Sequence, residues 1–421
     1  MTSTIEKVHA REVLDSRGNP TVEVEVTSGN VMGKFIVPSG ASTGQFEAVE
    51  LRDGGSRFHG KGVSQAVKNV NEIIAPKIIG RDITEQENLD LYLKEIDGTP
   101  NKANLGANAI LGVSIANLRV AANSQNLWVY EYIGKGSYSL PCPMLNVING
   151  GEHAGGDLAI QEFMLMPLGF DTFSEALRAS TEVYHNLKKY LTKTYGPTAT
   201  NVGDEGGFAP PIKNTRDALD ALTEAIKKSG YQPVEQFYIG IDAAASEFFE
   251  GGKYHLDGTQ LSPEEFISYY EKIVEEYPIL LSLEDPFDEQ DYDSFSKLVS
   301  KYGSSRAIVG DDLTVTNVER IQTAIDKQSM NYLLLKVNQI GSFTEAKQAF
   351  DLTKGQDWGV VISHRSGETE DTFIADLAVG LKAERIKTGA PARSERVAKY
   401  NQLLRIEERL GDNAIFNNKI S

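Results

Sequence analysis

Apolar and polar residues alternate strictly over residues 21–26 (TVEVEV), the period of a strand with one buried face. Residues 33–37 read as a second strand, and residues 11–14 as a third that pairs with them. The period then changes. Val63, Ala66, Val67, Val70, Ile73 and Ile74 recur at helical spacing, and residues 104–125 form a helix rich in small side chains. Three strands followed by helices predict an α+β unit over residues 1–131. Residues 134–143 (GKGSYSLPCP) concentrate Gly, Ser and Pro and mark a linker.

From 139 to 421 the rhythm is different. Short apolar runs each stop at a charged or polar residue: FYIGID at Asp242, ILLSLE at Glu284, AIVGD at Asp311, YLLLK at Lys336, GVVISHR at His364-Arg365 and RIK at Lys387. Helical stretches such as 317–325 and 342–352 lie between them, and residues 251–258 read as a hairpin-like insert. Beyond the first, each step is the length of one strand plus one helix. Apolar strands alternating with helices argue for a parallel sheet, and six such units in a row argue for closure into an α/β barrel. In such barrels the chemistry sits where the strands end. Taken singly, a charged residue there is an ordinary helix N-cap. Three acids followed by cations at six successive strand ends make a site.

Composition narrows the partners. The 421 residues are 40% hydrophobic and 24% charged, enough for a sizeable core. Lys and Arg number 42 against 59 Asp and Glu, a net charge of −17. That surface repels phosphate backbones and anionic lipids, which disfavours nucleic-acid and membrane partners. A lone cysteine, Cys142, excludes an internal disulfide and a thiolate metal cluster. The first residues (MTSTIEKVHA) carry no signal-peptide pattern, and no apolar run is long enough to span a bilayer. These features predict a soluble, cytoplasmic protein.

Asp242, Glu284 and Asp311 converge if the barrel closes. Without Cys or His among them they are hard oxygen ligands, suited to Mg²⁺ or Mn²⁺. Asp312 competes with Asp311, but its side chain is expected on the other side of the strand end. Lys336 and Lys387 flank His364-Arg365-Ser366. Crowded by a metal and a second ammonium, Lys336 is expected to have a lowered pKa and to serve as a neutral base. Arg365 offers a planar fork for a carboxylate or phosphate. Gly-rich loops add Glu205 (GDEGG), His153 (GGEHAGG, leading to Gln161-Glu162) and Ser42 (SGASTG). Alone, His153 is incidental and the Ser42 loop is a plain turn. GSRFHGKG at 55–62 mimics a phosphate-binding loop but lacks its hydroxyl and its preceding strand. The residues thus point to a divalent-metal barrel enzyme that abstracts a proton beside the carboxylate of a small anion.

The motifs DSRGNPTVEVEV, VPSGASTG, DGTPNKANLGANAILGVS, NVINGGEHAGG, QEFM, NVGDEGGFAPP, SLEDPF, GDDLTVTN, LLLKVNQIGS, SHRSGETEDT and IKTGAPARSER resemble the enolase family over essentially the whole chain. The resemblance implies an N-terminal α+β domain (a three-stranded meander plus helices, 1–131). An eight-stranded, TIM-like α/β barrel with irregular first units (139–421) would follow. It implies dehydration of 2-phosphoglycerate to phosphoenolpyruvate and water, with two Mg²⁺ per active site, the second arriving with substrate. Asp242, Glu284 and Asp311 would hold the first ion, and Ser42 would belong to the second. Lys336 would be the base at C2 and Glu205 the acid at the C3 hydroxyl. Lys387 would neutralise the substrate carboxylate, and Arg365 and Ser366 would bind the phosphate, with His364 also touching substrate. Gln161 and Glu162 would line the site, Glu162 with a catalytic part, and His153 would close over it. A homodimer or octamer is implied. Sugar-acid dehydratases share the acidic trio but are not expected to combine GDEGG, SHRSGETED and both lysines. One departure is Trp128, where the family pattern suggests proline.

Overall fold

A computed structural model describes residues 3–40, 46–154 and 156–419, apart from the side chains of Glu152 and His153. Ser42 therefore lies outside the described residues, as does the side chain of His153.

The alternating segment forms the middle of an antiparallel sheet in the order β1 (Lys7–Leu14), β2 (Pro20–Ser28), β3 (Val31–Ile36). Val22, Val24 and Val26 are fully buried on one face. Val24 stands opposite Ala10 on β1 and Phe35 on β3. Helix α1 (Gln86–Asp97) and helix α2 (Ala107–Ser124) follow, after a helical stretch that runs from Ser64 to Ile78 through a π-turn. α2 lies directly on the sheet. A Cβ at Gly33 would sit 2.1 Å from the Ala116 carbonyl oxygen, so strand and helix approach at a distance that only glycine permits. The helix begins three residues later than its pattern suggested. Gly106 has φ 93°, and the carboxylate of Asp97 holds the Leu105 amide at 2.7 Å. Trp128 causes no disruption: its amide donates to Glu131 (2.8 Å), and its ring lies 4.8 Å under the Arg409 guanidinium.

Among the described residues, eight strands close into a barrel: β4 (Cys142–Asn149), β5 (Glu162–Met166), β6 (Tyr238–Asp242), β10 (Leu280–Glu284), β11 (Ala307–Gly310), β12 (Tyr332–Leu335), β13 (Gly359–Ser363) and β14 (Arg385–Lys387). The insert is a separate small sheet of three short strands, β7 (Phe249–Glu250), β8 (Lys253–Leu256) and β9 (Thr259–Leu261). β6 and β10 to β14 pair in parallel, and β14 closes onto β4 in parallel. β5 is reversed: it is antiparallel to both β4 and β6. The parallel sheet expected from the sequence therefore holds for most of the barrel but fails at its start. A β4–β5 hairpin there is followed by two consecutive helices, α3 (Phe173–Tyr195) and α4 (Thr215–Lys228), before β6.

Among the described residues no helix is long and apolar enough to cross a membrane. The sheet-and-helix unit is tied to the barrel by buried polar contacts. Arg119 on α2 meets Asp371 at 2.6 and 2.7 Å. Lys102 meets Glu345 at 2.9 Å, and Asp90 accepts from both the amide and the hydroxyl of Thr344. Ser39 and Gly367 exchange backbone hydrogen bonds, which brings the N-terminal unit over the barrel mouth.

Candidate active site

Strand geometry delivers the charged side chains to one end of the barrel. β6 ends in Asp242, β10 in Glu284 and β14 in Lys387, while β12 and β13 hand over to Lys336 and His364. Reversal of β5 puts its first residue, Glu162, at the same end, in register with Asp242. Glu205 comes from the turn between α3 and α4, and Glu47 from the N-terminal unit. With Gln161, Asp311, Asp312, Arg365 and Ser366, all of these but Glu284 line a cleft of ≈ 530 Å³, counting its open mouth. Its walls are polar, unlike those of a typical apolar ligand pocket. The structure thus brings together every predicted site residue within the described region. Glu284 is the one set behind the wall, fully buried.

Lys387 Nζ lies 2.8 Å from Asp242, 2.8 Å from Glu284 and 3.0 Å from Glu162. Burial works against its charge, but the three carboxylates hold the ammonium well above its ordinary value. Lys336 Nζ pairs with Asp311 at 2.5 Å. Burial again opposes the charge, yet Asp311 raises the pKa overall. Among these side chains the neighbour that sets the direction is an anion, Asp311, rather than the second lysine.

Negative charge remains in excess. Burial, reinforced by neighbouring carboxylates, pushes Glu162, Glu284 and Asp285 well above the usual carboxylate range. Glu284 Oε2 is buried without a hydrogen-bond partner. A hard, all-oxygen donor set with surplus charge fits a divalent cation such as Mg²⁺. Two trios are candidates. The carboxylates of Asp285, Asp311 and Asp312 lie within 4.8 Å of one another. Asp312 therefore does not turn away as expected. β11 stops at Gly310, so the alternation that would have sent Asp312 to the other face has already ended. Both oxygens of Asp285, however, accept backbone amides, from Asp311 at 3.0 Å and Asp312 at 2.7 Å, and so hold that turn. Asp242 and Glu284 instead converge on one point, marked by the Lys387 ammonium, with Asp311 on the next strand. We favour Asp242, Glu284 and Asp311 as the cation ligands for that reason.

Across the cleft, Glu205 faces Glu162, and after burial its charge is the next largest influence raising the Glu162 carboxyl. Glu205 Oε2 also accepts from Asn146 at 3.0 Å and faces His364 Nε2 at 3.4 Å. Burial, the largest influence, pushes His364 down to about 4, so its ring is neutral. The Arg365 fork donates to Glu47 (3.2 Å to each oxygen) and Asn338 (2.9 Å). It is thus already shaped around an oxyanion. Glu47, Asn146, Asp285, Asn338 and Arg396 escaped sequence reasoning. Only Asn146, a polar residue inside the apolar strand MLNVIN, left a visible signal.

Fold and mouth together define an α/β-barrel enzyme with a buried acid cluster that could hold a metal ion. Comparison with known proteins narrows this. The family model "Enolase, N-terminal domain" matches residues 5–133, and "Enolase, C-terminal TIM barrel domain" matches residues 137–421. The chain is 56% identical to the enolase of Thermococcus kodakarensis (99% of this chain, 97% of that one). It is also 56% identical to the enolase of Methanocaldococcus jannaschii (97% and 96%) and to that of Methanothrix thermoacetophila (99% and 98%). The chain belongs to the enolase family, and with it to the hydro-lyases.

Proposed function

We infer that the barrel mouth carries out the reversible dehydration of 2-phospho-D-glycerate to phosphoenolpyruvate and water, a step of glycolysis and gluconeogenesis. The observation that carries this reading is the pairing, across one cleft, of a lysine beside the acid cluster (Lys336–Asp311) with a buried acid pair (Glu205–Glu162). Dehydration needs these two functions, a base at C2 and a proton donor at the C3 hydroxyl.

Asp242, Glu284 and Asp311 would hold the first Mg²⁺, and Ser42 would belong to a second that comes with substrate. Bound there, Mg²⁺ supplies positive charge against the anion that forms when C2 loses its proton. Lys336 takes that proton. Asp311 is the chief influence keeping Lys336 charged, so whatever engages Asp311 leaves burial, Arg365 and Lys387 to lower it. Glu205, oriented by Asn146 and His364, protonates the departing hydroxyl, and Glu162 lies beside it. Lys387 balances the substrate carboxylate, Arg365 and Ser366 bind the phosphate, and Gln161, His364 and His153 complete the enclosure. The same reading divides the chain into a capping unit (1–131) and a catalytic barrel (139–421), and has it work in the cytoplasm as a homodimer or octamer.

The test separates the two proton transfers. Chelation with EDTA should abolish phosphoenolpyruvate formation in a coupled assay, and Mg²⁺ should restore it. Glu205→Gln should lose product formation but keep exchange of the C2 hydrogen with D₂O. Lys336→Ala should lose both. Product formation by Glu205→Gln together with retained exchange in Lys336→Ala would reverse the assignment.

A further inference from the structure

The last α-helix, Ser394–Leu410, carries a buried arginine on the side facing the mouth. Arg396 is 0% exposed. Its Nη1 lies 2.7 Å from His364 Nδ1 and 2.6 Å from the Arg365 carbonyl oxygen. Its Nη2 lies 2.5 Å from the Ser366 carbonyl oxygen and 3.2 Å from that of Asp204. Its aliphatic stem packs on Gly389, where an added Cβ would sit 3.0 Å from Arg396 Cδ. One side chain thus reaches the turn that carries Glu205, the loop that carries Arg365 and Ser366, and the loop after Lys387.

A guanidinium has only donors and keeps its charge in proteins. His364 Nδ1 must therefore accept, and the single proton of the neutral ring sits on Nε2. Glu205 Oε2 lies 3.4 Å from that nitrogen, close enough to attract the N–H though not aligned for a full hydrogen bond. The other tautomer would aim a lone pair at the same carboxylate. The remaining charged groups facing the ring are Glu368 and Glu205 itself. A burial-depressed pKa keeps the ring from gaining a second proton at neutral pH.

We propose that Arg396 is a positioning residue for the dehydration. It locks His364 in the Nε2–H tautomer and holds the Glu205 turn in fixed register with the Arg365–Ser366 loop. The catalytic half of this inference rests on the reading of Glu205 as proton donor. The tautomer half does not.

¹⁵N NMR of histidine-labelled full-length protein tests it, with His364→Gln identifying the signal. The wild type should show His364 as the Nε2–H tautomer, unprotonated down to about pH 5, since burial pushes its pKa down to about 4. Arg396→Lys keeps the charge but offers one ammonium where the guanidinium serves four acceptors. It should give mixed tautomers and about 10²-fold slower product formation, the scale of a 1 Å misplacement, while C2 exchange with D₂O persists. A wild-type Nδ1–H tautomer would overturn the proposal. So would an Arg396→Lys enzyme within about twofold of wild type, or one that loses exchange and product equally. Should Arg396→Lys fail to fold, Arg396→Gln and the wild-type spectrum decide. Full product formation by Glu205→Gln beside an arginine-dependent tautomer would sink the donor reading and leave the positioning of His364 standing.

Discussion

His364 gives its two ring nitrogens partners of opposite character, a guanidinium and a carboxylate, inside a fully buried pocket. That enclosure has a consequence for stability. Burial, the first cause, takes the folded-state pKa from 6.5 to about 4. Between those two values the unfolded chain binds the proton that the folded chain refuses, so stability falls as pH falls through this window. The contribution is fully present above about pH 6.5, and the loss reaches on the order of 2–3 kcal/mol by pH 4.5. His364→Gln should remove it. Urea unfolding of both proteins at pH 7 and pH 4.5 should show the wild type losing more stability than the variant by that amount. Parallel losses would mean that the ring titrates normally in the folded protein.

At the scale of elements, the contact between β3 and α2 is the tightest in the N-terminal unit. A Cβ at Gly33 would meet Ala116 O at 2.1 Å and Val120 N at 2.4 Å, both backbone atoms that cannot rotate away. Gly33→Ala should therefore shift the helix and lower stability by about 1–3 kcal/mol, the usual cost of overpacking. A urea midpoint equal to wild type would show that the sheet and helix slide freely. Elements of this kind were legible in the chain because burial imposes a period: β2 alternates, and the barrel strands, buried on both faces, are unbroken apolar runs. Their ends were legible because an apolar run stops where charge begins, which located Asp242, Glu284 and Lys387 directly. Strand direction was not. Alternation looks the same read either way, so the reversal of β5 left no mark beyond the family resemblance, although it is what brings Glu162 to the mouth. Arg396 was hidden for a related reason: a charge on a helix as polar as Ser394–Leu410 reads as solvated, and only the fold turns that position inward.

The whole molecule is joined across a seam that buries charge. Lys102 is 1% exposed and its ammonium meets Glu345 at 2.9 Å, next to the Asp90–Thr344 contact. Glu345→Ala leaves that ammonium buried without its carboxylate, and stability should fall by about 3–5 kcal/mol in thermal or urea unfolding. The double variant Lys102→Met, Glu345→Leu should recover most of it. A single variant as stable as wild type would mean that the seam opens to let water reach the lysine. The order of the chain across the barrel has a further consequence. Lys387 is on β14, the strand that closes the barrel onto β4, and it lies 103 residues beyond Glu284. On a ribosome adding about 5–20 residues per second, Glu284 emerges roughly 5–20 s before the ammonium that sits among the acids, and Asp242 and Glu162 emerge earlier still. A nascent barrel that gathered its acids early would gather repulsion. The chain's own timetable thus favours leaving the mouth unassembled until the last strand arrives, so that closure of the barrel and neutralisation of its acid cluster are one event.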